Sequence, residues 1–491
     1  MSNGVQKKNG VSALKMSILT LAIMNITAVV SLRGLPAEAE YGLSSIFYYV
    51  FAAIFFLIPV SIVAAELATG WPEKGGVFRW VGEAFGPRWG FVAIFLLWIE
   101  SAIWFPTVLT FAAVSLAYTG PNQKWDQMLA STNVYTIIIV LMVYWAATLF
   151  TLRGIKSASR IAKWGGLIGT IIPGGLLIIF GIIYLLQGRP IQMPLGWDKL
   201  IPDLSNFGNL VLAASIFLFY AGMEMNAVHV KDVDNPTRNY PLAILISSLG
   251  TVAIFILGTL AIGFLIPNKQ INLVQSLLVS YDDFLRLFGM NWLIPVFGLA
   301  LAFGVLGGVT VWVAGPSAGM AEVGRAGYLP LFFQKLNKRG MASRILIVQG
   351  LIVTFLAVMF VVLPSVQAAY QILSQLTVTL YLIMYLLMFS AAIYLRYSQP
   401  NTPRPYKVPG GNIGMWIFGG CGLIGSVTAF ILSFIPPAQI SVGSPALYMA
   451  ILIGGNLFFL AIPLAIYAFR KPHWKTAQGA AEFTPFTSGK A

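Results

Sequence analysis

The chain has 491 residues, 58% hydrophobic and only 9% charged, with a formal net charge of +14. A soluble domain carries about 25% charged residues, so this composition excludes a wet surface of ordinary make-up. Its apolar runs match the roughly 20 residues that cross a bilayer core as helix, and lipid cannot satisfy open backbone groups, so α-helix nearly throughout is expected.

In chain order, a tail of residues 1–12 precedes twelve predicted spans: 13–33, 44–68, 88–118, 133–151, 161–187, 207–230, 240–266, 288–318, 343–363, 367–396, 412–435 and 444–470. The fold class is therefore an all-α polytopic membrane protein, with one transmembrane domain over 13–470 and a short tail over 471–491. The first span follows Lys7, Lys8 and Lys15. It is too long for a signal h-region and lacks a small-residue cleavage site, so it is read as a retained helix. An even number of spans puts both termini on one side. With that side cytoplasmic, 24 of the 30 Lys and Arg residues fall in cytoplasmic segments and adjoining span ends. The external loops hold five: Lys124, Arg189, Lys199, Lys269 and Arg286. The positive-inside rule thus accounts for the basic charge without a nucleic-acid partner.

Several segments stand out along the way. Arg33, Gly34 and Pro36 close span 1. Glu100 lies about 12 residues into span 3, or about 18 Å along a helix, near mid-membrane. The basic stretch Thr151 to Gly165 reads as a surface helix, and Ala321 to Gly340 mixes apolar and basic residues as an interfacial helix does. Span 6 contains Gly222 and Glu224. Ser398 to Gly411 has four prolines and reads as a turn-rich loop. Cys421 is the only cysteine, and His229 and His473 lie far apart, so neither a disulfide nor a metal motif is expected. No cofactor is expected.

A carboxylate inside a membrane span is costly and marks a functional site by default. Glu224 has two readings. It steadies a break in span 6 and senses a substrate amine or a proton, or it only hydrogen-bonds free N–H groups of span 1. Break signals in spans 1 and 6, five spans apart, fit the paired interrupted helices of an inverted-repeat transporter. Thr27 and Ser31 precede the span-1 signal, where their hydroxyls either meet substrate or bond back to the previous turn. Arg33 either grips a carboxylate in a pocket or snorkels to the outer surface. His229, at the cytoplasmic end of span 6, reads as an interface residue.

"AAELATGWPEKGGVFRWVGEAFGPRWGF" (Ala64 to Phe91), "YAGMEMNAVHVKDVDNPTRNYPLAI" (Tyr220 to Ile244) and "VWVAGPSAGM" (Val311 to Met320) together resemble the amino acid–polyamine–organocation superfamily. The match runs from about Ser12 to Arg470 and is most like the bacterial glutamate/GABA antiporter branch. The resemblance implies a LeuT-like five-plus-five inverted repeat with two additional C-terminal helices. It also implies a substrate held between the breaks of spans 1 and 6 and walled by spans 3, 8 and 10. Half-helix ends offer N–H groups to a substrate carboxylate and carbonyls to its ammonium. By position, Trp312 would cap substrate, Tyr381 and Tyr385 would line one face of span 10, and Phe219 and Tyr220 would gate the span-6 break. The chain departs from the branch in its charges. Arg33 stands where an aromatic is usual, Glu100 where a glutamine is, and Gly308 where a glutamate can be. Glu100 and Arg33 either pair with each other or grip a differently charged substrate.

The expectation is a bacterial inner-membrane transporter with both termini cytoplasmic, whose partners are the bilayer and a small amino acid or amine. Exchange of an amino acid for a related amino acid or its decarboxylated amine is the first reading. A proton-coupled amino acid or polyamine symporter is the second. A channel would need a filter repeat, which the sequence lacks; an enzyme would need a cluster such as His-rich metal ligands or a Ser/Lys dyad, and the two scattered histidines argue against the metal version. The 21 residues from Lys471 are too short for a plug of the cytoplasmic path to be expected.

Overall fold

The computed structural model describes residues 17–73, 75–202, 214–227, 233–363, 365–436, 444–475 and 485–486. The predicted tail 1–12 and His229 lie outside the described residues. The first span is interrupted: α1 (Ile18–Val29) ends, Val30 and Ser31 leave the helix, and a single turn at Leu32–Gly34 leads into α2 (Leu35–Ala39). α3 (Ser45–Ala52) passes through a π turn at Ala53–Leu57 into α4 (Ile58–Gly70), making one continuous helix. The short α5 (Val77–Phe85) precedes the long α6 (Pro87–Ala117). A proline at the first helical position removes a donor that would be unpaired anyway. α7 (Gln123–Ala130) and α8 (Asn133–Leu152) follow, then α9 (Ile155–Gly166), which runs through a second π turn into α10 (Ile172–Leu186).

The sixth span is also broken, into α11 (Ser215–Tyr220) and α12 (Met223–Ala227). Between them Ala221 is extended and Gly222 has φ 108°, a left-handed value that a residue without Cβ adopts freely. The remaining helices are α13 (Pro236–Leu265), α14 (Ser276–Leu287), α15 (Ile294–Val323), α16 (Ser343–Ala357), α17 (Met359–Val362), α18 (Val366–Ser398), α19 (Gly411–Ser433) and α20 (Pro445–Ala468). Among the described residues nine helices are long and apolar enough to cross a membrane. The three other predicted spans, 1, 6 and 9, are the ones in which helix is interrupted or short. Large apolar side chains such as Leu149, Phe355, Ile413 and Leu457 face outward, as a lipid-facing surface requires.

α6 is the axis of the bundle, almost wholly buried and packed along α15 and α18. α9 crosses α15 at glycines. A Cβ on Gly165 would meet Gly307 Cα at 2.9 Å, and one on Gly169 would collide with the backbone of Gly304. Such small-residue contacts let membrane helices approach backbone to backbone. At one end of the bundle Glu66 of α4 ties α18 and the following loop together. It pairs with Arg396 at 2.5 Å, with Arg404 at 3.5 Å, and accepts the Val408 N–H at 2.7 Å. Removing one member of so buried an ion group leaves uncompensated charge, an effect of about 3–5 kcal/mol. At the same end Phe486 of the C-terminal tail is buried against Phe78 and Arg79 of α5.

Candidate functional site

The two breaks meet. A Cβ on Gly34 would lie 2.6 Å from the Phe219 ring, so the bare backbone of span 1 lets the end of α11 settle on it. Below this contact lies a cavity of about 620 Å³. It is bordered by Ser31 and Arg33 of the first break, Phe219 and Gly222 of the second, Glu100 and Trp104 of α6, Trp312 of α15 and Tyr381 of α18. From there it extends along α1, α9 and α15 to Ser159 and Lys163 of α9, near the start of the continuous helix Ser157–Leu186.

Glu224 closes the span-6 break. Its carboxylate accepts the hydroxyls of Tyr381 and Tyr385, each at 2.5 Å, and the Gly222 N–H at 3.2 Å. The Gly222 N–H also reaches the Tyr385 hydroxyl at 3.1 Å. The orphan donor that the break creates is thereby satisfied from within the same element and from α18. The N–H that Glu224 accepts thus belongs to its own span, whereas one reading from the sequence assigned it to free N–H groups of span 1. The two tyrosines, four residues apart, share a helix face and stack with centroids 4.7 Å apart.

Arg33 points inward and is buried, rather than reaching the outer surface. Its guanidinium sits 5.3 Å from the Trp104 ring, 5.5 Å from Phe219 and 5.9 Å from Tyr370, and it donates to the Tyr370 hydroxyl at 3.1 Å. Aromatic faces attract a cation without neutralising it, so Arg33 keeps its full positive charge at the cavity wall. Glu100 is also buried on that wall, and its Oε1 has no hydrogen-bond partner. The two charges form no ion pair with each other, which overturns the reading in which they pair as a structural unit. A cavity bordered by a guanidinium and by a carboxyl group that do not pair with each other presents complementary ends to a dipolar molecule.

Of the residues singled out from sequence, Ser31, Arg33, Glu100, Phe219, Gly222, Trp312 and Tyr381 border the cavity. Tyr220, Glu224 and Tyr385 stand behind it, where they brace the second break. Thr27 lies in α1, but its side chain is outside the described residues. Trp104 and Tyr370 escaped the sequence reading. Trp104 carried a usable signal, since it lies four residues after Glu100 and so on the same face; its ring lies tilted against that of Trp312 with centroids 5.7 Å apart. Tyr370 carried none, because only folding brings it to Arg33 from 337 residues away.

The family model described as amino acid permease matches residues 16–456. An uncharacterized transporter of Legionella pneumophila is 40% identical over 461 residues, covering 93% of this chain and 97% of that protein. A glutamate/gamma-aminobutyrate antiporter of Lactococcus lactis is 31% identical over 458 residues, covering 92% of this chain and 90% of its own length. A probable agmatine/putrescine antiporter of the same species is 24% identical, covering 95% and 96%.

Proposed function

The chain belongs to the amino acid permease family, and from that premise we propose that it is an antiporter exchanging an amino acid for a related amino acid or its decarboxylated amine by alternating access. The observation that carries this reading is the cavity between two helix breaks, with Arg33 and Glu100 facing it unpaired. The substrate carboxylate is gripped by Arg33 or by N–H groups of the breaks. Its ammonium meets Glu100 or the free carbonyls at the end of α1. Trp104 and Trp312 flank the bound molecule, and Glu224 holds the second break in shape through its three hydrogen bonds. Relatives named as glutamate/gamma-aminobutyrate and agmatine/putrescine antiporters support exchange of this class.

The finer architecture we propose is twelve spans, with spans 1, 6 and 9 supplied by interrupted or short helices. Two five-span halves of opposite orientation carry two further helices, and both termini are cytoplasmic in a bacterial inner membrane. The reach of the cavity to Ser159 and Lys163, near the start of the continuous helix Ser157–Leu186, supports an inward-facing arrangement, because the positive-inside reading places that end in the cytoplasm. The cycle turns over by differential affinity of the substrate for two states.

Counterflow in proteoliposomes tests this. Labelled glutamate, GABA, agmatine and putrescine are each offered to vesicles preloaded with one of the others or left empty. Uptake that requires a preloaded partner is expected. Uptake into empty vesicles driven by a pH gradient alone would replace exchange with proton symport. Arg33→Tyr and Glu100→Gln are each expected to change which preloaded compound supports uptake by tenfold or more, since one charge-assisted contact contributes roughly 1.5–3 kcal/mol. Unchanged preference in both would remove these two charges from the site.

A further inference from the structure

Glu38 of α2 plays no part in the site above, yet it is the most isolated carboxylate in the fold. It is 0% exposed, and among the described residues it alone has both carboxylate oxygens buried without a hydrogen-bond partner. Three other buried acids are provided for. Glu66 holds two arginines and a backbone N–H, Glu224 holds two phenols and a backbone N–H, and Glu100 opens on the cavity. Glu38 does not border the cavity.

Its shell contains nothing that could neutralise it. From α3 and α11 it is faced by the phenols of Tyr49 and Tyr220. Both are committed elsewhere: the Tyr49 hydroxyl shares a hydrogen bond with Thr259 of α13 at 2.9 Å, and the Tyr220 hydroxyl donates to the Tyr49 carbonyl at 3.3 Å. α13 and α14 also pack on α2; the ionisable groups of α13, Arg238 and Tyr240, lie in its first two turns, where Tyr240 donates to the Ser61 carbonyl, and those of α14 are bound away from Glu38. Tyr281 donates to the Pro173 carbonyl, Asp282 pairs with Arg286, and Asp283 accepts from Gln123. Arg33, on the turn before α2, is engaged with Tyr370 and its aromatic cage. Glu40, two residues on, is only partly buried and adds no positive charge.

An ionised carboxylate sealed away without a partner is strongly unfavourable, whereas the neutral acid is tolerated. We propose that Glu38 is a proton-binding site of the transport cycle. Its carboxylate takes a proton from water on one side of the membrane and carries it as the neutral acid through closed states such as this one. It returns the proton to water when its shell opens. The location supplies the coupling: α2 is the half of the first span beyond the break, so a shift of the chain at Ser31 to Gly34 around substrate displaces Glu38 against α3, α11 and α13. The transport part of this idea rests on the exchange reading above; the protonation part does not.

Infrared spectra of the purified protein in lipid provide the test. The wild-type spectrum minus that of Glu38→Gln is expected to contain the carbonyl-stretch band of a protonated carboxylic acid in a dry setting, shifted in deuterated water. A flat difference spectrum would overturn the proposal. Where Glu38→Gln does not fold, Glu38→Asp should move the same band rather than remove it, and an unmoved band would equally overturn it. In vesicles, with glutamate and GABA as probes, wild-type counterflow is expected to vary with pH and Glu38→Gln to lose that component. An unaltered pH profile beside a lost infrared band would leave Glu38 protonated but outside the cycle, and would overturn the coupling. Failure of counterflow with every probe would instead strike the exchange reading and leave the infrared result standing.

Discussion

Glu224 illustrates how one side chain repairs a break. Losing helix at Ala221 and Gly222 frees a backbone donor in a water-poor interior, and the carboxylate two residues on recaptures it while fastening α12 to α18 through two phenols. Glu224→Ala leaves the Gly222 N–H and two hydroxyls competing for fewer acceptors. A loss of about 1–3 kcal/mol is expected, because a buried donor stripped of its partner carries its full desolvation penalty. Glu224→Gln keeps an acceptor and should lose clearly less. Thermal unfolding followed by tryptophan fluorescence separates the two, and equal unfolding temperatures would deny the bracing role. At this scale much was legible. The cost of intramembrane charge pointed to Glu224, Glu100 and Arg33 from the sequence alone. It left open what each touches, and it passed over Glu38, whose isolation is defined only by what surrounds it.

Between elements, close approach and paired charge decide the geometry. The α9–α15 crossing depends on Gly165, Gly169, Gly304 and Gly307 having no side chains. Gly169→Leu would force the backbones apart, so destabilisation of about 1–3 kcal/mol or more is expected from overpacking. Size-exclusion profiles and thermal unfolding in detergent measure it, and a variant as stable as wild type would show the crossing to be loose. The connecting helices α7 and α14 carry a pH-dependent joint. Burial first, and then the charge of Asp282, push the Asp126 carboxyl up to about 6, against the opposing pull of Arg286 and the Gly120 N–H. Burial also raises Asp282 and Asp283. A carboxyl raised on folding favours the protonated state, so its contribution is fullest below the unfolded value of about 3.9 and declines as pH climbs through the folded one. Unfolding temperature should therefore fall between about pH 4 and about pH 6.5, and Asp126→Asn should flatten that fall. A wild-type curve without slope there would contradict the joint.

For the molecule as a whole, the Glu66 cluster ties one end shut between α4 and α18, while the cavity runs toward that same end beside α9. The charge distribution predicts that this end is cytoplasmic. Because Cys421 is the only cysteine, a Cys421→Ser background permits single-site labelling. In spheroplasts a membrane-impermeant maleimide should label Trp197→Cys, in an exposed loop, but not Asn401→Cys; the opposite pattern would invert the topology.

By itself the sequence determined the membrane class, the run of apolar segments, the predicted side of the basic loops and that spans 1 and 6 carry break signals. The bilayer imposes those features segment by segment, through hydrophobic length, the placement of Lys and Arg, and the residues that break a helix. Only the tertiary structure decided that Arg33 sits in a cage drawn from α6, α11 and α18, that it does not pair with Glu100, and that Glu38 is sealed without a partner. These depend on side chains brought together from positions hundreds of residues apart, and no local periodicity encodes such encounters.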